Sequence, residues 1–117
     1  MLEIVMSCEG VWKVEMVGAY GWEGIATAFM KNGEYMAASA NHYSIGSYKQ
    51  SDDNVVMSAL VTQHGDLRTV FGVSSTSKLH VTLNGKIKMG IITGTSKAKG
   101  IKKHEIEFRL TRLERFE

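Results

Sequence analysis

The sequence predicts an all-β protein, built as a small antiparallel barrel of about eight strands. Three observations favour this fold: apolar residues recur with a period of two, Asn-Gly pairs fall between apolar runs, and no segment of ten or more residues has a helical period. Closing the sheet removes exposed edges, so a barrel is favoured over a two-sheet sandwich, which is the alternative. The 117 residues match one ordinary domain, so residues 1–117 are expected to form a single barrel domain.

The first two predicted strands show this alternation directly. In residues 11–17, Trp12, Val14 and Met16 alternate with charged residues, as on a strand with one buried face and one wet face. Residues 25–31 continue with small and apolar side chains, which predict the second strand.

A hairpin turn follows these strands. Asn32 and Gly33 predict a tight connection to a strand at residues 35–40, because Asn-Gly is the strongest short-range hairpin signal. Residues 43–50 and 55–64 are the next two predicted strands, and a short acidic turn joins them.

A second Asn-Gly hairpin is predicted at Asn84 and Gly85. Before it, residues 68–73 are interpreted as a short strand or an ordered loop, and residues 74–77 as a loop. After it, residues 93–100 are expected to form a flexible basic loop. Six residues around this turn are expected to face the core: Leu79, Val81, Leu83, Ile87, Met89 and Ile91.

The last predicted strand, residues 103–113, has the clearest pattern, with Ile106, Phe108 and Leu110 facing inward. The interior of a barrel of about eight strands is either filled by side chains or holds one small ligand. Five residues are candidates to line such a cavity: Trp12, Phe29, Tyr43, Met57 and Phe108. One functional hypothesis is therefore a small carrier or sensor of an apolar small molecule.

Charge is distributed unevenly along the chain, whose formal net charge is +2. Residues 1–66 have a net charge of −5, and residues 67–117 have a net charge of +7. This split indicates acidic and basic strands side by side in one sheet, or a charged partner. Nucleic acid is not the expected partner, because the basic segment 96–103 has no aromatic residue on which bases could stack.

Cysteine usage indicates a cytoplasmic protein. The single cysteine, Cys8, cannot form an internal disulfide, and it is expected to be an incidental thiol in a frayed N-terminus. The first ten residues do not resemble a signal peptide, and no apolar run approaches the roughly 18 residues of a membrane helix. No contact with a membrane is therefore expected.

No group of residues predicts catalysis, a metal or a cofactor. The four histidines are not spaced as a ligand pair on one strand face, whereas a catalytic zinc site needs three converging ligands. His64 lies near Asp66, but neither a Gly-x-Ser-x-Gly motif nor a fixed nucleophile accompanies them. A binding protein without enzymatic activity is therefore expected.

Three segments carry a resemblance to a known family: GVWKVEM at residues 10–16, KNGEYMAASANHYSIGSYK at residues 31–49 and HEIEFRLTRL at residues 104–113. Across residues 10–113 the chain resembles the GrlR-like family, which is named for a negative regulator of type III secretion. The resemblance implies a small lipocalin-like barrel, commonly a homodimer, without enzymatic activity. It also implies a regulator that sequesters a protein partner, for example a transcriptional regulator.

The resemblance further implies where such a partner binds. In the regulator for which the family is named, an acidic surface loop of alternating glutamate and aspartate binds a transcriptional activator. The matching positions are residues 50–54, in which Asp52 and Asp53 are the acidic residues and the candidate partner-binding residues. The alternative is an ordinary turn, since Asp and Asn side chains favour turns.

Overall fold

A computed structural model describes residues 7–18, 20–64, 78–100 and 105–116 of the protein. They form a closed antiparallel barrel in which each strand pairs with the next along the chain and the last pairs with the first. The strands are β1 (Gly10–Gly18), β2 (Gly21–Lys31), β3 (Glu34–Ala38), β4 (His42–Ser51), β5 (Asn54–Gln63), β6 (Lys78–Lys88), β7 (Ile91–Ala98) and β8 (Ile106–Arg115). The predicted all-β barrel is confirmed. The predictions made for residues 68–77 lie outside the described residues.

Large side chains fill the interior towards one end of the barrel. Six of them are fully excluded from solvent: Trp12, Met30, Met57, Ile92, Phe108 and Leu110. The indole nitrogen of Trp12 donates a hydrogen bond of 2.9 Å to the carbonyl oxygen of Cys8, and Cζ of Arg112 lies 4.6 Å from the centre of a Trp12 ring. Cys8 is only 1% exposed, so the expectation of fraying at this residue is wrong.

The hairpin between β2 and β3 confirms the first Asn-Gly prediction. β2 ends at Lys31 and β3 begins at Glu34, which leaves Asn32 and Gly33 as the turn residues. Their φ angles are 54° and 80°. Positive φ at both turn residues is the conformation for which two-residue hairpins select Asn-Gly, so local turn chemistry accounts for this connection.

The second Asn-Gly prediction is wrong. β6 continues through Asn84 and Gly85, and the chain turns instead at Met89 and Gly90, whose φ angles are 52° and 80°. Most of residues 93–100, predicted as a loop, belongs to β7. Residues 93–98 are therefore part of the sheet rather than a flexible connection.

Strand parity explains this difference. Residues directly opposite each other in an antiparallel pair share one face of the sheet. A two-residue turn at 84–85 would place Lys86 opposite the inward-facing Leu83, and an ammonium group in the core is costly. In the observed register Leu83 lies opposite Ser96, and both are buried. Two residues predicted to face inward are instead exposed: Met89 and Ile91.

An ion pair between described residues joins the acidic and the basic halves of the chain. Nε of Arg109 on β8 donates a hydrogen bond of 3.0 Å to Oε1 of Glu15 on β1. This hydrogen bond is the main cause that lowers the pKa of Glu15. Cζ of Arg109 also lies 4.3 Å from the centre of a Trp22 ring. At this pair the acidic and basic strands lie side by side, as the charge distribution indicates.

Candidate functional site

A cavity of about 220 Å³ lies in the end of the barrel away from the large side chains. It is near the β1–β2 and β3–β4 turns, and strands β1 to β6 contribute to its wall. Most of the lining residues are apolar: Val14, Met16, Ile25, Ala26, Ala37, Ala59, Val61, Leu79, Val81 and Leu83. The barrel is thus packed towards one end and hollow towards the other.

Small side chains account for the cavity. Ala28, Ala37 and Ser44 lie directly opposite one another on β2, β3 and β4, and all three are buried. Ala37 and Ser44 line the cavity and are too small to fill it, whereas Ala28 lies opposite Trp12 and does not line the cavity. This pair of small inward-facing residues is the signal in the sequence that could have located the cavity.

A β-bulge shapes the rim of the cavity between β1 and β2. Val14 pairs with Ala26 and Glu15 pairs with Gly24, so Ile25 is an extra residue without a direct partner. Bulges bend strands and redirect side chains at barrel rims. Ile25 and Ala26, although consecutive in the strand, both contribute to the wall.

Two hydroxyl groups lie inside the cavity. Tyr35 on β3 and Ser44 on β4 are both buried, and their side chains are hydrogen-bonded to each other. Burial raises the pKa of Tyr35 to about 12, against the opposite effect of the hydrogen bond with Ser44. Tyr35 is therefore a neutral phenol at physiological pH, able to donate or accept a hydrogen bond.

Further polar residues line the cavity: Glu23, Asn41, His42 and Gln63. Nδ1 of His42 lies 2.9 Å from Oγ of Ser39. Burial lowers the pKa of His42, and the nearby His64 adds to this effect. The His42 side chain is thus a neutral imidazole at physiological pH.

The five predicted cavity residues fall into two groups. Trp12, Met57 and Phe108 face the interior as predicted, but they fill the packed part of the barrel and do not line the cavity. Phe29 and Tyr43 lie on the outer surface and are each 43% exposed. The prediction that these two residues face inward is therefore wrong.

The pleat of each strand places Phe29 and Tyr43 outside. Ala28 and Met30 flank Phe29 and are buried, so the side chain between them points outward. Ser44 follows Tyr43 and is buried for the same reason. The inward positions next to these two residues hold Ala28, Met30 and Ser44, so the large aromatic side chains of Phe29 and Tyr43 lie on the outer face.

The outer surface of the sheet carries a line of apolar side chains, the outer apolar row. Direct cross-strand pairs connect its five members: Val11, Phe29, Met36, Ile45 and Leu60. Met36 and Ile45 in the middle of the row are more than half exposed. Contiguous exposed apolar surface is typical of a contact with another molecule.

Asp52 and Asp53 form the two-residue turn between β4 and β5, at the end of the barrel away from the cavity. Both residues are exposed. The carbonyl oxygen of Asp52 accepts a hydrogen bond of 3.0 Å from Nε2 of Gln50, and that of Asp53 accepts one of 2.8 Å from the backbone N–H of Ile87. The acidic turn is therefore anchored to the barrel and separate from the cavity.

The chain matches no model of a known protein family and no curated protein sequence. Within the described ranges, no three His, Cys, Asp or Glu side chains are grouped so that they could hold a metal ion. The same ranges contain no helix that is long and apolar enough to cross a membrane. The candidate site is therefore interpreted from its geometry and chemistry.

Proposed function

We propose that this protein binds a small, largely apolar molecule in the barrel cavity, without catalysing a reaction. The cavity supports the proposal, because its 220 Å³ are lined mostly by apolar side chains with a few polar groups among them. Small-molecule sites commonly have this composition, in which apolar walls bury the ligand and a few polar groups orient it. Of the two functions that the sequence suggests, we therefore place the carrier or sensor first.

The volume of the cavity limits the size of its ligand. A cavity of about 150 Å³ is large enough for benzene, and drug-sized ligands occupy pockets of about 300–1,000 Å³. The volume of 220 Å³ therefore suits a molecule with one or two rings, or a short alkyl chain. Naphthalene is a suitable probe, since it is neutral, apolar and fluorescent.

Two variants on β5 test whether the cavity binds this probe. Val61 lines the cavity, so Val61→Phe would fill it, whereas Val56 is 40% exposed and does not line the cavity. We expect naphthalene fluorescence to show saturable binding to the wild type and to Val56→Phe, and binding to be lost in Val61→Phe. The absence of saturable binding to the wild type, or unchanged binding to Val61→Phe, would reject the proposal.

A second candidate function is the capture of a protein partner, for example a transcriptional regulator, by the barrel surface. The acidic turn supports it, because Asp52 and Asp53 place two neighbouring carboxylates in solvent on an anchored turn. A basic segment of a partner would be attracted to them. In a pull-down from the native host, Asp52→Lys with Asp53→Lys should lose the partner, and Glu105→Lys with Glu107→Lys should keep it. Equal capture by both double variants would exclude the acidic turn.

We also propose a homodimer in which the outer apolar row contacts the same row of a second copy. An isologous contact needs a self-complementary surface, and this row brings no charged group that would have to be desolvated. The sedimentation coefficient should fall to that of a monomer in Ile45→Lys, at the middle of the row, and stay unchanged in Val56→Lys, outside it. A wild type that is monomeric at both low and high salt would contradict the homodimer.

We also propose that the protein belongs to the GrlR-like family and that it is located in the cytoplasm. A reducing compartment is supported by the single cysteine, Cys8, because it is a free thiol and leaves the fold without an internal disulfide. Fractionation of the native host would test the location, and recovery of the protein outside the cytoplasm would reject it.

A further inference from the structure

We propose that the cavity selects neutral molecules in which an apolar ring or chain carries one hydroxyl or carbonyl group, and that it excludes carboxylates. This inference rests on the proposed function, because it assigns a chemical class to the ligand of the same cavity. It follows from the charge of the wall and from the position of the hydroxyl groups inside.

The charge of the cavity wall opposes an anion. No lysine or arginine is among the described residues that line it, and its ionisable members are Glu23, Tyr35 and His42. Glu23 is exposed, so its carboxylate at the rim repels a second negative charge. A carboxylate that entered the apolar interior would lose its hydration without gaining a cationic partner, and such transfers are strongly unfavourable.

The other two ionisable groups do not supply the missing positive charge. Tyr35 is a buried phenol hydrogen-bonded to Ser44, and it can carry only a negative charge. His42 is close to Ser39 Oγ, and its burial lowers the pKa of the imidazole and so favours the neutral ring. Among the described residues of the cavity wall, a ligand therefore meets hydrogen-bonding groups but no fixed cation.

The hydroxyls of Tyr35 and Ser44 provide a place for one neutral polar group. A hydroxyl has one donor and two acceptor sites, so the hydrogen bond between these two side chains leaves capacity for a third partner. The wall formed by β1 and β6 is apolar, with Val14, Val81 and Leu83 facing the same cavity. A ligand hydroxyl directed at β3 and β4 would leave its ring in contact with this apolar wall.

Three ligands with the same two-ring frame test the inference: naphthalene, 2-naphthol and 2-naphthoate. At pH 7.5 we expect 2-naphthol to bind about three- to tenfold more tightly than naphthalene, because it adds one interior hydrogen bond. We expect 2-naphthoate to bind at least about 100-fold more weakly than 2-naphthol, because its charge must be desolvated. Fluorescence titration of the full chain measures all three affinities.

The outcomes separate the two proposals. If the wild type binds none of the three ligands, the proposed function fails. If it binds naphthalene saturably but binds 2-naphthoate as tightly as 2-naphthol, the proposed function stands and the selectivity is overturned.

Variants on β4 locate the hydrogen bond. Ser44→Ala should remove the preference for 2-naphthol over naphthalene, whereas Ser47→Ala, on the exposed side of the same strand, should keep it. If Ser44→Ala does not fold, Tyr35→Phe tests the other member of the pair. A preference for 2-naphthol that persists in the variant without one of these hydroxyls would overturn their assigned role.

Discussion

The aromatic ring of Phe108 lies directly against the backbone of Gly85. A Cβ atom at position 85 would lie 2.9 Å from Cζ of Phe108 and 2.5 Å from the carbonyl oxygen of Thr93. Real Cβ atoms are not found this close to other heavy atoms, and the carbonyl belongs to the neighbouring strand β7. Gly85 is therefore required as a strand residue beneath an aromatic ring, and not as a turn residue.

We expect Gly85→Ala to lower the free energy of unfolding by about 1–3 kcal/mol, the usual range for overpacking a core. Gly24→Ala is the matched control, since Gly24 has no positive φ and a Cβ atom added there would meet no heavy atom within 4 Å. Denaturant unfolding of both variants measures the difference. Equal stabilities of the two variants would show that both Phe108 and the Thr93 carbonyl group move aside at little cost.

The turn between β6 and β7 can be improved by one substitution. Met89 has a φ of 52° and is 84% exposed, so it bears the cost of a left-handed conformation without packing in the core. Met89→Asn would create the Asn-Gly pair that the β2–β3 hairpin already has at Asn32 and Gly33. We expect it to raise the free energy of unfolding by about 1 kcal/mol.

The reverse change, Asn32→Met, provides the control for this turn. It should lower the free energy of unfolding by a similar amount, because the φ of 54° at position 32 would then be imposed on a methionine. A loss of stability in Met89→Asn would mean that the Met89 side chain makes a stabilising contact that its exposure does not reveal.

These two turns show which parts of the fold were predictable from the sequence. Asn32 and Gly33 agree with the alternation on both sides of them, so local turn chemistry and register predict the same hairpin. At Asn84 and Gly85, local turn chemistry and register predict different structures, because a turn there would direct Lys86 inward. The observed structure follows the register of the sheet. The sequence itself contains this conflict, because a two-residue turn at 84–85 would pair the inward-facing Leu83 with Lys86.

The cavity was harder to predict because it is the part of the barrel interior that small side chains do not fill. Trp12 and Phe108 were correctly placed inside from alternation, yet their size makes them fill space rather than border it. Ala37 and Ser44 border the cavity because they face each other across β3 and β4, a relationship that appears only when the register of both strands is known. The location of the cavity therefore depends on which residues pair between strands, and the alternation within a single strand does not reveal that pairing.

Cys8 should react slowly with thiol reagents in the folded protein. It is 1% exposed, and burial raises the pKa of its thiol to about 11, so little thiolate is present at pH 8. We expect iodoacetamide to modify Cys8 at least about 100-fold more slowly in the native protein than in the denatured protein. Mass spectrometry of timed samples measures both rates.

The position next to Cys8 offers a control for this protection. Ser7 is exposed, so Ser7→Cys combined with Cys8→Ala should restore rapid modification in the native state. Rapid native modification of the wild type would instead indicate that the segment preceding β1 detaches from the barrel and that the hydrogen bond from Trp12 to the Cys8 carbonyl breaks often.

Protonation of His42 should destabilise the protein on mild acidification. Burial, reinforced by His64, lowers the pKa of His42 in the folded state below its ordinary value of 6.5, so the unfolded state binds the proton more readily. The contribution of neutral His42 to the free energy of unfolding is therefore fully present above pH 6.5. It is lost as the pH falls from 6.5 through the pKa of His42 in the folded state. The lowered pKa of Glu15 acts in a separate window, where stability is lost as the pH falls below its ordinary value of 4.5.

Urea unfolding at a series of pH values between 7.5 and 5.5 isolates the contribution of His42. We expect His42→Gln to flatten the dependence of stability on pH in this range, because it removes the group whose proton affinity differs between the two states. His80→Gln, on the exposed side of β6, should retain the slope of the wild type. A slope that is the same in His42→Gln and in the wild type would show that another group takes up the proton on unfolding.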